Sequence, residues 1–196
     1  MKDVMNWPQP LPIPVIYRST VATKSRNLPY SDSQIAIFDH MNDSGNVAYE
    51  IRGGTEADLP RVFELVKELA LFERAPHEVD NSVERMKMDG FGPDAVFGFL
   101  VATVGDTIVA ISIYYYRYST WKGKSLYLED LIVTESMRGQ GIGKALFEAT
   151  VQKGRELGCV QMNWQVLDWN TDAIEFYKLY GSSIEDGWLN ASIPLK

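Results

Sequence analysis

The chain has 196 residues, of which 45% are hydrophobic and 23% charged, and this balance is typical of one globular domain. A formal net charge of −7 argues against a general nucleic-acid binder, because such proteins present clustered Lys and Arg to phosphate groups. The single cysteine, Cys159, excludes an internal disulfide and a cysteine-based metal cluster. No apolar run is long enough to cross a bilayer. We therefore expect a cytoplasmic protein without a metal, nucleic-acid or membrane partner.

Residues 1–48 differ in composition from the rest of the chain. Prolines alternate near the start, at Pro8, Pro10, Pro12 and Pro14, and such a backbone favours extended conformations and cannot form a helix. The segment holds four basic and four acidic residues, so residues 49–196 carry the entire net charge. We expect a loosely ordered extension. Two alternatives are that its apolar residues at positions 13–17 dock along the domain surface, or that Met41 is the start of the protein.

From Tyr49 onward, segments with strand periodicity alternate with segments of helical periodicity. Apolar residues of the first long helix recur at three- and four-residue spacing, with Thr55 or Asp58 as its cap. The predicted strands are Tyr49–Arg52, Val96–Val104, Thr107–Tyr118, Ser125–Val133, Cys159–Leu167 and Trp188–Ile193. Gly105-Asp106, between the second and third of them, predicts a hairpin turn. The predicted helices are Thr55–Arg74, Ser82–Asp89 (stopped by Gly90), Gly141–Leu157 and Thr171–Tyr180. This order predicts a mixed α/β domain over residues 49–196, with a largely antiparallel central sheet flanked by helices.

A glycine-rich segment, Arg138-Gly139-Gln140-Gly141-Ile142-Gly143, joins the fourth predicted strand to the following helix. Glycines let the backbone approach a ligand closely, and a helix start offers unpaired N–H groups and the positive end of its dipole. Together they predict an anion site suited to a pyrophosphate, to which Arg138 adds charge. The segment is not a P-loop, because Gly143-Lys144 is followed by Ala145. It is not a dinucleotide fingerprint either, because its glycines are spaced Gly-x-Gly-x-Gly.

The spacing Arg-x-x-Gly-x-Gly after a strand resembles the acetyl-CoA loop of the GCN5-related N-acetyltransferase superfamily. Further segments resemble the diamine acetyltransferases, which include the spermidine/spermine and thialysine enzymes. These segments are Lys67-Glu68-Leu69-Ala70, Asp89-Gly90-Phe91-Gly92, Leu126-Tyr127-Leu128-Glu129-Asp130, Trp169-Asn170, Phe176-Tyr177-Lys178 and Asp186-Gly187-Trp188. The resemblance extends from about Tyr49 to Ile193, and it implies the fold of that superfamily, an N-acetyltransferase activity and a homodimer.

The resemblance also implies acetyl-CoA as cosubstrate and indicates the residues that would bind it. Backbone groups of Leu131, Ile132 and Val133 would pair with the pantetheine arm as a further strand would, with the Leu131 N–H as oxyanion donor. The other residues expected at the cosubstrate are Arg138, Gly139, Gln140, Gly141, Ile142, Gly143, Lys144, Asn170, Ala173 and Tyr177. Asn170 and Tyr177 are two helical turns apart and therefore share a face.

Acetyl transfer to an alkyl amine requires the amine to lose a proton, because its pKa is about 10. A carboxylate can hold the cation and then accept this proton. Glu129 and Asp130 are neighbours on a predicted strand and point to opposite faces, so only one faces the cleft. The resemblance implies Glu129 as the base, and it leaves Asp130 a structural role or a place on the far side of the site. It further implies Tyr177 as the general acid that protonates the leaving thiolate.

The expected substrate is a small cationic molecule with a primary amine, such as a diamine, a polyamine or a thialysine-like compound. Glu73, Glu129 and Asp186 would form an acidic pocket for a second amine, and Phe72 and Trp164 would supply aromatic walls. Phe72 stands where the polyamine enzymes commonly have Tyr, and the segment before Asp186 is shorter than theirs. The resemblance therefore does not fix which amine is acetylated.

Two other functions are consistent with parts of the sequence. An enzyme that acetylates protein N-termini or lysines would have a wide, less acidic groove. A non-catalytic acyl-CoA-binding module would keep the glycine-rich loop without needing Glu129 and Tyr177. His40 and His77 lie in or near the extension and in a loop, so neither a Ser-His-Asp triad nor a histidine metal site is expected. Cys159 falls in a predicted buried strand, and without an activated cysteine we expect direct transfer.

Overall fold

The computed structural model describes residues 38–40 and 47–195, so most of the predicted extension lies outside the described residues. The strands are β1 Phe38–His40, β2 Tyr49–Gly53, β3 Phe97–Val104, β4 Thr107–Ser119, β5 Gly123–Val133 and β6 Gln161–Asn163. The helices are α1 Leu59–Phe72, α2 Val83–Phe91, α3 Ile142–Glu156 and α4 Thr171–Lys178. Single turns of 3-10 helix lie at Glu56–Asp58, Pro76–Glu78 and Glu135–Met137.

The strands of the described residues form one sheet in the order β1-β2-β3-β4-β5-β6. Each neighbouring pair is antiparallel except β5 and β6, which are parallel. The turn between β3 and β4 contains Gly105 at a φ of 55°, as expected for the predicted hairpin. The predicted mixed α/β class with a largely antiparallel sheet is confirmed. Strand β1, which the sequence analysis did not predict, lies within the segment assigned to the extension and pairs with β2.

Helices cover both faces of the sheet. On one face lie α1 and α2, whose buried residues include Leu65 and Met86. On the other face lies α3, whose buried residues include Leu146. The hydroxyls of Ser112 in β4 and Thr150 in α3 are both buried and lie 2.7 Å apart. Because the Thr150 hydroxyl donates to the Leu146 carbonyl at 2.8 Å, the Ser112 hydroxyl donates to Thr150. The three- and four-residue spacing of apolar positions thus gives each long helix one face that the sheet covers.

The first helix begins later than predicted, because a turn of 3-10 helix precedes α1. Thr55 flanks this turn, and its backbone N–H donates to the Asp58 carboxylate at 2.7 Å. The same carboxylate accepts a hydrogen bond from the Arg52 guanidinium at 2.7 Å. The Asp58 carboxylate therefore links the end of β2 to the start of α1 through these hydrogen bonds, and it does not cap the helix.

The second helix ends later than predicted. It begins after Ser82, whose hydroxyl accepts a hydrogen bond from the Arg85 N–H at 3.2 Å, as an N-cap residue does. It then continues through Gly90 to Phe91, so the prediction that Gly90 stops the helix was wrong. Gly90 is buried, and a Cβ atom there would lie 2.8 Å from the ring of Phe97 in β3. The glycine is needed because the helix packs closely on the sheet.

The predicted strand Trp188–Ile193 is absent from the described residues, and that prediction was wrong. Its apolar side chains are exposed, Trp188 by 85% and Leu189 by 95%. A side-chain hydrogen bond of 2.8 Å from Gln165 to Asn190 joins this segment to the rest of the domain. High strand propensity is not sufficient here, because a strand also needs a neighbouring strand to pair with.

Strands β5 and β6 pair over three residues each, Ser125–Tyr127 against Gln161–Asn163. The predicted strand Cys159–Leu167 was therefore too long. Beyond Tyr127 the two strands part, and residues 128–133 and 164–167 both contribute to the walls of a cleft. The departure from a regular sheet at this place creates the space in which a ligand can lie.

None of the helices in the described residues is long and apolar enough to cross a membrane. In the same part of the chain, no group of three or more His, Cys, Asp or Glu side chains is arranged to hold a metal ion.

Candidate active site

A cleft of about 290 Å³ opens where β5 and β6 part. It brings together predicted site residues from five separate segments, namely Phe72, Glu73, Glu129, Leu131, Ile132, Val133, Arg138, Trp164, Asn170, Ala173 and Tyr177. It is also lined by residues that the sequence analysis did not assign to the site, namely Leu69, Leu128, Gln165, Val166, Leu167 and Asp172. Residues 165–167, after Trp164, were missed because they were interpreted as part of the strand Cys159–Leu167.

The glycine-rich loop adjoins the cleft through Arg138. Gly139 and Gly141 have φ angles of 76° and 80°, a left-handed conformation that favours glycine, and α3 begins directly after them. The other predicted loop residues, Gly139 to Lys144, do not line the cleft itself. The side chain of Ile142 is buried in the core, so only its backbone can face a ligand. Gly143 lies against β5, where a Cβ atom would come within 3.3 Å of the Val133 side chain.

Beyond Tyr127, the edge of β5 that faces the cleft is not paired with another strand of the described residues. Leu131, Ile132 and Val133 pair with β4 on the other edge, but β6 has already diverged from them. The Val133 carbonyl accepts a hydrogen bond from Arg138 Nε at 3.1 Å. The Thr134 N–H bonds the Val109 carbonyl of β4, so by alternation the backbone of Ile132 also faces β4, whereas that of Leu131 and Val133 faces the cleft. An extended ligand can therefore bind along Leu131 and Val133 as an additional strand would.

Glu129 occupies a β-bulge in β5. The register between β4 and β5 passes from Tyr114↔Leu128 to Ile113↔Asp130, so Glu129 has no partner residue in β4. A bulge interrupts the strict alternation of side chains and redirects the residue that it contains. The Glu129 side chain is exposed and lines the cleft.

Asp130 follows Glu129 in β5, is half-buried, and does not line the cleft itself. Burial, assisted by the negative charges of Glu129 and Glu73, raises the pKa of Asp130 to about 7. Burial also raises the pKa of Glu73. Three carboxyl groups thus meet at one end of the cleft, and their mutual repulsion favours the binding of a cation between them.

Tyr177 lines the cleft from α4 and is 8% exposed. Its ring centroid lies 4.8 Å from that of Trp164 and 5.5 Å from that of Phe147. Burial raises the pKa of Tyr177 to about 12, so its hydroxyl is neutral at physiological pH. Two turns earlier, the Asn170 side chain caps α4 by accepting a hydrogen bond from the Ala173 N–H at 3.3 Å. Asn170 and Tyr177 line the same cleft, as their spacing predicted.

Aromatic rings and guanidinium groups stack beside the cleft. The Phe72 and Trp169 centroids are 5.6 Å apart, Arg138 Cζ lies 5.2 Å from the Phe72 centroid, and Arg74 Cζ lies 4.9 Å from that of Trp169. The Phe72 ring therefore contacts a cationic group of the protein, the Arg138 guanidinium. This contact and the hydrogen bond to Val133 hold Arg138 at the start of the glycine-rich loop.

Asp186 departs from the prediction, because the structure does not bring it to the cleft. Its side chain is exposed, and it lies in the segment after α4 that forms no regular secondary structure. Without pairing to the sheet, nothing in the described residues holds this carboxylate against Glu73 and Glu129.

Comparison with known proteins agrees with this geometry. The model of the acetyltransferase (GNAT) family matches residues 59–181. The chain belongs to this family. It is therefore a GNAT N-acetyltransferase, an enzyme of a family that uses acetyl-CoA.

Two relatives and one solved structure represent the similarities of this GNAT enzyme. It is 37% identical to thialysine N-epsilon-acetyltransferase from Mus musculus over 151 residues, which are 71% of this chain and 89% of the relative. It is 31% identical to L-ornithine N5-acetyltransferase NATA1 from Arabidopsis thaliana over 114 residues, 57% of this chain and 46% of the relative. The structure of AAC(6')-Iy with the bisubstrate analog CoA-S-monomethyl-acetylneamine matches with a TM-score of 0.62 at 18% identity, covering 74% of this chain and 98% of that chain, which shows a shared fold.

Proposed function

We propose that this GNAT enzyme transfers acetyl from acetyl-CoA to the primary amine of a small cationic substrate. The observation that carries the proposal is the composition of the cleft. Its carboxylate end, with Glu73 and Glu129 in the cleft and Asp130 next to Glu129, is suited to a cationic amine. The free edge of β5 and the phenol of Tyr177 lie in the same cleft. The acetyl group of acetyl-CoA and the amine of the substrate can therefore approach each other inside one cavity.

The cosubstrate would lie along β5 and the glycine-rich loop. The free edge at Leu131 and Val133 suits the amide groups of a pantetheine arm, which can pair with it as a strand would. Arg138 and the left-handed backbone at Gly139 and Gly141, ahead of α3, suit its pyrophosphate. Asn170 offers a further polar contact from the opposite wall.

The chemistry follows from the positions of three groups. Glu129 accepts a proton from the alkyl ammonium, directly or through water, and the neutral amine attacks the thioester carbonyl. The N–H of Leu131 donates a hydrogen bond to the oxyanion that develops on this carbonyl. Tyr177 donates to the sulfur as the C–S bond breaks, and burial keeps its hydroxyl protonated until then. The products are the N-acetylamine and free CoA.

Direct transfer in a ternary complex is favoured over a covalent acetyl-enzyme. Cys159 is half-buried and does not line the cleft. Burial raises the pKa of its thiol, which disfavours the reactive thiolate. No cysteine of the described residues is therefore positioned to accept the acetyl group.

The names of the two relatives support a small amine as substrate, since one relative is named for thialysine and the other for L-ornithine. We also propose that the protein works as a cytoplasmic homodimer. Sedimentation velocity would test the assembly, and a species of monomer mass at all concentrations would reject it.

The proposed function is tested by following CoA release with a panel of diamines, polyamines, thialysine, lysine and N-terminal peptides. Turnover with the small amines and none with the peptides is the expected result. Turnover with peptides alone would favour the protein-acetylating alternative. Tight acetyl-CoA binding without any turnover would favour the non-catalytic module.

A further inference from the structure

A row of four side chains continues from the cleft along the hairpin of β4 and β5. Tyr115 in β4 is directly opposite Tyr127 in β5, and their ring centroids are 5.1 Å apart. The Arg117 guanidinium lies over the Tyr127 ring, with Cζ 5.7 Å from its centroid. At the other end, Glu129 follows Tyr127 by two residues in β5, at the bulge beside Tyr114. The row therefore leads from Glu129 in the cleft to Arg117 outside it.

The row has a negative and a positive end. The pKa of Tyr115 and that of Tyr127 are raised first by burial and then by the charge of Glu129, while the charge of Arg117 lowers both. Both phenol groups thus lie within the electrostatic influence of Glu129 on one side and of Arg117 on the other. A ligand along this row meets an anionic group first and a cationic group further on.

Arg117 is available to a ligand in the described part of the chain. Arg52 and Arg61 are held by carboxylates at 2.7 and 2.9 Å, whereas Arg117 forms no ion pair within residues 47–195. Its side chain is exposed, with the Tyr127 ring supporting one face of the guanidinium. A guanidinium presented in this way leaves its N–H groups available for a bidentate contact with a carboxylate.

The spacing suits a short molecule with opposite charges at its two ends. Arg117 is level with Ser125, and Glu129 lies at the bulge beside Ile113 and Tyr114. At roughly 3.4 Å per residue, their backbone positions are about 12 Å apart along the hairpin. The long Arg117 side chain and the Glu129 side chain both extend into this interval, and an extended basic amino acid can bridge what remains.

We propose that Arg117 binds the α-carboxylate of a basic amino acid whose side-chain amine reaches Glu129 and is acetylated. This inference rests on the proposed function and specifies its substrate class. Such a substrate carries a cation toward the carboxylates of the cleft and an anion toward Arg117. A diamine of the same length would instead place its second ammonium group beside the guanidinium, where it is repelled.

The test compares amino acids with their decarboxylated counterparts, L-ornithine with 1,4-diaminobutane and L-lysine with 1,5-diaminopentane. Kinetic constants are measured by CoA release for the wild type, Arg117→Gln, Arg117→Lys and Arg155→Gln. Arg155 lies in the last turn of α3, so Arg155→Gln makes the same change of net charge on another element.

Arg117→Gln is expected to raise KM for the amino acids about tenfold or more, the size of a lost hydrogen-bonded charge contact, while KM for the diamines stays unchanged or falls. Arg117→Lys should be intermediate, because it keeps the charge without the bidentate geometry. Arg155→Gln should match the wild type. If the enzyme turns over the diamines and Arg117→Gln changes KM equally for both compound types, or for neither, the role of Arg117 is rejected. The proposed function is unaffected by that result. A wild type that turns over no amine of the panel would reject the proposed function itself.

Discussion

The ring of Tyr177 on α4 packs against the ring of Trp164 after β6, with centroids 4.8 Å apart. This contact fixes the phenol in the cleft and keeps it buried, which raises its pKa to about 12. The group is therefore a neutral donor at every physiological pH, as a general acid for the leaving thiolate must be before the reaction.

Tyr177→Phe removes the hydroxyl and keeps the ring packing. We expect kcat to fall by roughly 100-fold, the size of a general-acid contribution, with little change in KM for acetyl-CoA. Tyr180→Phe is the matched control, because burial also raises the pKa of Tyr180 to about 12, yet its hydroxyl bonds Glu148 at 3.0 Å outside the cleft. Steady-state kinetics on both variants decides the matter, and wild-type turnover in Tyr177→Phe would remove Tyr177 as the acid.

Glu129→Gln removes the carboxylate that we assign as the proton acceptor. Without it, only amine that is already neutral can react, so the pH profile of kcat/KM should shift upward and the amine requirement should rise. Glu64→Gln, which alters an exposed carboxylate paired with Lys67 at 3.0 Å, should leave the profile in place. Rates are compared from about pH 6 up to about pH 10, which is the pKa of an alkyl amine. Superimposable profiles of the wild type and Glu129→Gln would count against the assignment.

Asp130→Asn tests how the half-buried Asp130 carboxyl group affects stability. Its pKa of about 7 in the folded protein exceeds the ordinary value of 3.8, so the folded state binds more protons than the unfolded chain between these two values. The wild type therefore loses stability from this group as the pH rises from about 4 to about 7. Asn cannot ionise, so the free energy of unfolding of Asp130→Asn should fall less between pH 5 and pH 8.

Urea denaturation at these two pH values measures the effect, and Asp94→Asn, at an exposed position, is the control that should follow the wild type. Equal pH dependence in the wild type and Asp130→Asn would show that Asp130 is ionised alike in both states.

Gly141→Ala tests the glycine-rich loop. At a φ of 80°, with no atom within 4 Å of the position that a Cβ would take, alanine would meet backbone strain but no clash, and should destabilise the fold by about 1 kcal/mol. Gly105→Ala, at a φ of 55° in the β3–β4 turn, meets the same conditions far from the loop in sequence. Both should lower stability alike, and only Gly141→Ala should raise KM for acetyl-CoA. A raised KM in both variants would point to a general effect of destabilisation.

Elements whose signals are local were predicted well. The helix α1 follows from its apolar spacing, and the β3–β4 hairpin follows from two strand-like runs around Gly105-Asp106. Errors arose where distant parts of the chain decide. Glycine often ends a helix, yet Gly90 lies within α2, where the ring of Phe97 from β3 packs against it. The run Trp188–Ile193 has strand propensity, yet no strand of the described residues pairs with it.

The features of the candidate site also fall into those that the sequence predicts and those that depend on tertiary packing. The sequence by itself determined the glycine-rich loop between a strand and a helix, and the shared face of Asn170 and Tyr177, because both depend on fixed spacings along one element. Only the tertiary structure decided that Asp130 is half-buried within the influence of the Glu73 and Glu129 charges, and that Asp186 lies away from the cleft. Burial and charge–charge distance depend on which segments pack together, and spacing along the chain does not contain that information.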